Sequence, residues 1–312
     1  MIVVIGSLAF DYVMNFAGRF ADQIVPEKIH LINLSFLTDK LNKNFGGTAA
    51  NIAYNLSLLE NKVAILAPAG KDFANFKAFL KSSGVLTKYI KIDKKTFTSN
   101  YFAIVDSLDN QIGGFYSGAM AKTSSLSLLN IKEKIDFVII SPTEPKAMLK
   151  FAKECQTLKI PYLFDPGMQL PRLTNRQLLS GILRAEILIG NDYEIGLIQK
   201  KLKLNKKALL RKVNIIITTL ASKGSIIEAK NKKIKIKAAK PISTIDPVGA
   251  GDAYRAGFIT GFLKNLNLST CGMIGSLVAV YTVEKQGTTI HKFTKKQFCD
   301  RFKRNFNQPL KF

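Results

Sequence analysis

Short apolar runs alternate along most of the chain with stretches of helical period. Residues 3–6, 63–68, 137–141, 162–165, 187–190 and 215–219 are dominated by Ile, Val, Leu and Phe. Such runs predict strands buried on both faces, as parallel strands are. Between and after them, residues 49–59, 74–81, 147–158, 176–183, 193–200 and 253–263 predict helices. That order predicts an α/β fold with a doubly wound, mostly parallel sheet and helices on both faces. Ligands in such folds sit at the carboxyl ends of the strands. Residues 11–45 and 96–116 break the pattern and alternate like exposed sheet. Neither is long enough for its own domain. The expectation is one domain over 1–312, with these regions forming a small discontinuous sheet that covers a cleft.

Composition narrows the class. With 312 residues and 47% hydrophobic content, the chain can bury a substantial core. No stretch of about twenty apolar residues occurs, so a membrane span is not expected. The opening Met1-Ile2-Val3-Val4-Ile5-Gly6 has no basic segment before its apolar run, so it reads as a buried strand and not as a signal peptide. The three cysteines, Cys155, Cys271 and Cys299, are far apart and fit no disulfide framework or zinc spacing. A cytoplasmic protein with reduced thiols is expected. His30 and His291 have no carboxylate partner in sequence and read as structural.

The net charge of +24 is carried mainly by lysines, in runs at 200–212, 230–240 and 292–311. The runs at 200–212 and 230–240 lack the interleaved aromatics of a base-stacking surface. The run 230–237 alternates like an edge strand, where lysines discourage pairing with another sheet. They read as solvated faces, so nucleic acid is not the expected partner. The positive field would still attract anionic substrates.

The most informative motif is Asp246-Pro247-Val248-Gly249-Ala250-Gly251-Asp252, which opens the apolar helix at 253–263. A helix start presents unpaired N–H groups and partial positive charge, and so attracts phosphate. A carboxylate there fits a group that takes a proton from an attacking hydroxyl. It also fits a plain Asp N-cap after a glycine turn. Gly46-Gly47-Thr48-Ala49-Ala50-Asn51 enters another helix, where paired glycines admit a ligand close to the backbone or simply make the turn. Asp11, after Gly6-Ser7, can accept hydrogen bonds from a sugar diol or stand free on a loop. Asn191-Asp192-Tyr193-Glu194 can hold magnesium-bound water, or form a capping box, or both. Thr218-Thr219-Leu220-Ala221-Ser222-Lys223-Gly224 ends a strand with groups suited to phosphates or to an ordinary turn. Asp165-Pro166-Gly167-Met168-Gln169, with Arg172 following, ends another. Five polar turns at strand ends together point to a ligand cleft.

These residues resemble the ribokinase-like (PfkB) family of sugar and nucleoside kinases. The C-terminal signature is matched from Asp246 to Ile259, and the N-terminal one by Gly46 to Ala53 and Gly70. Gly6-Ser7-Leu8-Ala9-Phe10-Asp11, Phe115-Tyr116-Ser117-Gly118-Ala119-Met120 and Asp165-Pro166-Gly167-Met168-Gln169-Leu170 look like the bacterial adenosine kinase branch. The resemblance runs from Ile2 to His291 and implies a three-layer α/β/α core with a β-sheet lid.

It implies Asp252 as general base and the amides of Gly249, Ala250 and Gly251 as an anion hole. It implies ribose contacts at Ser7, Asp11, Gly47 and Asn51. Tyr101, Phe115, Met120 and Gln169 fall around the nucleobase, and Arg172 near the phosphates. Asn191, Glu194, Thr219, Gly224, Ala279 and Val283 fall on the ATP side. Glu194 would organise magnesium through water, and Asp246 lies beside a potassium site found in many relatives. The implied activity is ATP-dependent phosphorylation of the 5′-hydroxyl of adenosine or a close nucleoside. A sugar or sugar-phosphate kinase and a catalytically inactive polyanion-binding relative are the alternatives. A homodimer paired through a lid edge is a further alternative. Four positions depart from the family pattern: Glu60 replaces a small residue, Tyr101 a phenylalanine, Met168 a glutamine and Ala221 a glycine. The first bears on helix packing. The last costs on the order of 1 kcal/mol if its φ is positive.

Overall fold

The computed structural model describes residues 1–310. Lys311, the end of the third basic run, lies outside them. The chain starts in β1 (Ile2–Ile5) and runs into β2 (Ala9–Asn15), β3 (Lys40–Gly46) and α1 (Thr48–Leu58). Next come β4 (Val63–Ile65), β5 (Pro68–Gly70), α2 (Ala74–Ser82) and β6 (Lys91–Asp93). A hairpin, β7 (Ser99–Val105) and β8 (Gln111–Tyr116), precedes β9 (Phe137–Ile140), α3 (Pro145–Leu158) and β10 (Tyr162–Phe164). Then follow α4 (Asn175–Ile182), β11 (Ile187–Asn191), α5 (Asp192–Leu202), α6 (Lys206–Leu209) and β12 (Ile215–Thr219). The remainder is β13 (Ser225–Ala229), β14 (Lys232–Ile236), α7 (Ala250–Leu263), α8 (Leu268–Val283) and α9 (Lys295–Phe306).

The main sheet has eight strands in the order β14-β13-β12-β11-β10-β9-β1-β4. Its strands from β12 to β4 are parallel, and β13 and β14 are antiparallel additions. Alternate residues of each strand feed two cores. Ile2 and Val4 pack with Ile52 of α1 and Phe258 of α7. Val3 and Ile5 pack with Phe151 of α3, Leu178 of α4 and Ile198 of α5. This is the α/β architecture with a helical layer on each face. The chain leaves β1 toward β4 on one side and later returns through β9 on the other, so the strand order reverses at β1. That reversal opens a crevice at the carboxyl ends of the strands.

Some sequence expectations need correction. The single strand expected over 63–68 breaks into β4 and β5, which belong to different sheets. Helix α8 escaped the periodicity reading because it is buried nearly all round, from Cys271 to Thr282, and so shows no polar face. Strands β2, β3, β7 and β8 form a separate four-stranded sheet in the order β3-β2-β7-β8. The stretch between β2 and β3, expected to be sheet, instead makes short 3-10 turns at Phe20–Asp22 and Pro26–Leu31. Strand β14 lies at the edge of the main sheet with Lys232, Lys233 and Lys235 exposed, as its alternation predicts.

Candidate active site

The start of α7 is built by a left-handed residue. Gly249 is its N-cap at φ 78°, where a Cβ would lie 2.6 Å from Thr288 Cγ2. No side chain caps this helix end. Ala250 N–H turns back to Pro247 O at 3.3 Å, and the first intrahelical bond is Ala253 N–H to Gly249 O at 2.9 Å. N–H groups at this end are therefore not taken up by a capping side chain, the condition an anion needs to bind a helix start.

Asp252 is in the first turn and does not act as the N-cap. Its Oδ2 accepts from Asn51 Nδ2 at 2.9 Å, across from α1. Asn51 Oδ1 in turn accepts from the buried Thr288 hydroxyl at 2.7 Å. That bond fixes which end of the Asn51 amide faces the carboxylate. Burial pushes the Asp252 carboxyl above the usual carboxylate range, while the Arg255 guanidinium and the Asn51 amide pull it down.

Asn51 is placed by the turn into α1. Gly47, the N-cap, has φ 90°, and a Cβ there would meet Ser7 O at 2.5 Å. Ser7 Oγ accepts from Thr48 N at 3.0 Å, which ties the end of β1 to this turn. Asp11 enters from β2 of the small sheet. Burial, then the neighbouring Asp246 and Asp252 carboxylates, push it up to about 6. Asp11 pairs with Tyr101 across β2 and β7, and Tyr101 pairs with Phe115 across β7 and β8. Cross-strand partners project to one face, so Asp11, Tyr101 and Phe115 form a row. A Cβ on Gly113 would lie 2.6 Å from the Tyr101 hydroxyl, so the ring leans over that glycine.

On the other side of the α7 start lies a cavity of about 600 Å³. Asn191, Glu194, Thr219, Gly224, Ala279 and Val283 line it together with Ala250, Gly251 and Arg255. Asn191 and Glu194 form a reciprocal capping box on α5. Ala221 lines the same cavity at φ 49°, the left-handed region in which a glycine carries no Cβ penalty. Glu60 stands just past α1 at φ 62°, in the left-handed region and outside the helix.

The remaining sequence candidates lie outside the lining of that cavity. Met120 is buried in a 3-10 segment that packs against β5 and β7. Gln169 is buried and accepts from the exposed Arg172 at 3.4 Å. Asp246 accepts from Val248 N at 2.9 Å and Gly287 N at 3.0 Å, and so ties two loops together. His291 is buried, with Nε2 2.8 Å from Asn55 Oδ1, and burial pushes it down to about 4. His30 is exposed.

Sequence reasoning missed Thr288 and Arg255. Thr288 lies in a loop with no pattern to flag it. Arg255 did carry a signal, a single cation within the otherwise apolar stretch Ala253–Ile259.

Comparison with known proteins bears on this geometry. A family model described as pfkB family carbohydrate kinase matches residues 2–295. A nucleoside kinase from Methanocaldococcus jannaschii is 31% identical over 306 residues, 97% of each chain. The nucleoside kinase of Burkholderia thailandensis in complex with inosine superposes with a TM-score of 0.90 at 29% identity over 100% of both chains. Its complex with ADP and inosine gives 0.88 at 30% identity, covering 100% of this chain and 98% of that one.

Proposed function

The chain belongs to the pfkB family of carbohydrate kinases and is a phosphotransferase with an alcohol acceptor, and from that premise we propose that it transfers the γ-phosphoryl group of ATP to the 5′-hydroxyl of adenosine or a close purine nucleoside. One observation carries this reading. Asp252 stands between the 600 Å³ cavity, whose wall includes Gly251, and the Asp11–Tyr101–Phe115 row, with its carboxylate turned toward Asn51. The cavity suits a nucleotide, and the row suits a ribose with an aromatic base stacked beside it. The Burkholderia thailandensis relative, in complex with inosine in one structure and with ADP-inosine in another, supports a nucleoside acceptor.

The chemistry follows from the residues. Asp11 and Asn51 orient the ribose hydroxyls, with Ser7 and Gly47 shaping the turn beside them. Asp252 accepts the 5′-hydroxyl proton as the oxygen attacks phosphorus. The N–H groups of Gly249, Ala250 and Gly251 at the α7 start stabilise the charge on the transferring phosphoryl group. Met120 and Gln169 border the base, and Arg172 lies toward the phosphates. The small sheet acts as a lid that keeps water from the phosphoryl group.

Magnesium fits as a companion of the nucleotide and not as a caged ion. Among the described residues no group of three or more acidic, His or Cys side chains gathers to hold a metal. Glu194 faces the cavity and can orient magnesium-bound water. Magnesium neutralises phosphate charge when it is bound there. For potassium, Asp246 accepts one backbone N–H at each oxygen and keeps lone pairs on both, so it could help hold that ion beside the loops it joins.

The test is a panel of adenosine, inosine, guanosine, cytidine, ribose and fructose 6-phosphate with ATP, read by ADP release. Purine nucleoside turnover is expected, with adenosine among the best substrates. Turnover on ribose or fructose 6-phosphate alone would replace this reading with a sugar kinase. Salt-sensitive RNA binding with no ATP consumption on any acceptor would replace it with a polyanion-binding protein.

A further inference from the structure

Arg255 lies one helical turn beyond Asp252, inside the molecule. It is 8% exposed, and its neighbours Ala253, Ala256 and Phe258 are fully buried. Its Nε is 2.7 Å from Asp165 Oδ2. Charge and a side-chain hydrogen bond both hold this pair, while Asp165 Oδ1 is left without a hydrogen-bond partner. Asp165 is itself 1% exposed, at the carboxyl end of β10. The guanidinium also backs onto the helix start, since a Cβ on Gly251 would lie 2.8 Å from Arg255 Nη1. A buried guanidinium is costly unless carboxylates balance it. Here it faces more than one: Asp165 in contact, with Asp252 and Glu194 close enough to act on it.

We propose that Arg255, clamped by Asp165, is the fixed positive charge that keeps Asp252 in its proton-accepting form. It is a positioning residue that acts through Asp252, and the proposal rests on the reading of Asp252 as the base. The groups facing Asp252 come from several elements. Asn51 on α1 donates to it. Asp11 on β2 and Asp165 after β10 are carboxylates near enough for the Asp252 charge to oppose their ionisation, and that repulsion is mutual. Asp246 presses on Asp11, and Glu194 on α5 acts on Arg255 and Asp165. Arg255 is the cation in this group. A desolvated carboxylate among like charges retains its proton near neutrality unless a cation opposes them. Asp165 has the complementary duty: it anchors the guanidinium and dilutes its effect on Asp252.

The signature is a pair of opposite shifts. Removing the cation by Arg255→Met raises the Asp252 midpoint, and removing the competing carboxylate by Asp165→Asn lowers it. A merely structural ion pair, broken from either side, would not move Asp252 in opposite directions. The measurement is a ¹³C NMR titration of full-length protein labelled at the Asp carboxyl carbons. The Asp252 signal is identified by its loss in Asp252→Asn. Arg255→Met is expected to raise the midpoint by about one unit or more, and Asp165→Asn to lower it by about half a unit or more. Arg255→Lys should stay within about half a unit of the unaltered protein. The acid limb of kcat/KM against pH should move with each midpoint, and one unit means about tenfold less base at a given pH on the acid side.

A midpoint that stays put in folded Arg255→Met, or moves the same way in both variants, overturns the proposal. Should Arg255→Met fail to fold, the downward shift in Asp165→Asn decides alone, and its absence is equally fatal. Failure of the kinase reading looks different: the unaltered protein phosphorylates no nucleoside, while the titration still reports how Arg255 acts on Asp252.

Discussion

The two sides of Asp252 are built differently. The α7 side is interior: Ala253, Ala256 and Phe258 are fully buried, and Asn51, Thr288 and Arg255 are nearly so. Its polar groups are held in a chain, Thr288 to Asn51 to Asp252, with the Thr288 hydroxyl also 3.2 Å from the Phe45 carbonyl. The small sheet is the opposite. Strand β8 is exposed along its whole length, Phe115 is 46% exposed, and the row it joins is open at that end. A buried polar chain has few alternative arrangements, because leaving any member unpaired costs its desolvation. An exposed aromatic row can shift and repack at little cost. Under the proposed function this contrast means a division of labour: the buried interior would set the chemistry, and the exposed sheet what is brought to it.

That division gives the variants an order and a type. The largest effect belongs to the interior. Asp252→Asn is expected to lower kcat roughly a hundredfold to ten-thousandfold with nucleoside affinity largely kept, as steady-state kinetics and calorimetry would show. Normal turnover in that variant would remove Asp252 from the chemistry. Next is Asp11→Asn, at the join between the two regions. Two charge-assisted hydrogen bonds to a diol weaken, so KM for the nucleoside should rise about 10- to 100-fold with a smaller change in kcat. A pure kcat effect would place Asp11 with the interior instead.

Phe115→Ala tests the sheet proper. Loss of one stacking face should raise nucleoside KM about tenfold and leave KM for ATP unchanged. An unchanged nucleoside KM would mean the ring is packing for the lid alone. Thr288→Val, which keeps shape but removes the donor to Asn51, should lower kcat about three- to tenfold at constant KM. Equal kcat would show that Asn51 holds its orientation without it.

The last and smallest effect is on stability. Asp11 has its folded value pushed up to about 6, above the ordinary carboxylate value of 3.8. The folded protein therefore binds more protons than the unfolded chain between those values, and this contribution to stability is lost as pH rises through them. Asp11→Asn removes the ionised carboxylate, so its melting temperature should exceed that of the unaltered protein at pH ~7 and converge with it below pH ~4. A lower melting temperature at pH ~7 would mean that the carboxylate is held by contacts stronger than its repulsion by Asp246 and Asp252.

Legibility in the sequence tracked contiguity and period. Strands β1, β9 and β12 were readable because apolar β-branched runs admit few other fates. The α7 start was readable because its turn glycines and its carboxylate occupy consecutive positions. Helix α8 was not, since a helix buried on every side loses the polar stripe that reveals it. Nor was Thr288, which reaches Asn51 from 237 residues away. Arg255 stood in plain view inside a recognised motif, but its meaning depends on Asp165, supplied by a different strand.

What the chain settled unaided was local: alternation of apolar runs, a glycine turn opening a helix, a carboxylate at that opening, and lysines along an edge strand. These follow from backbone sterics and residue period, which act over a few positions. Which carboxylates face one another, which amide is aimed at Asp252, and which side of the helix start is hollow were decided only on folding. Electrostatics and desolvation act through space, so they depend on what the sheet order at β1 brings within a few ångströms, and no run of neighbouring residues carries that information.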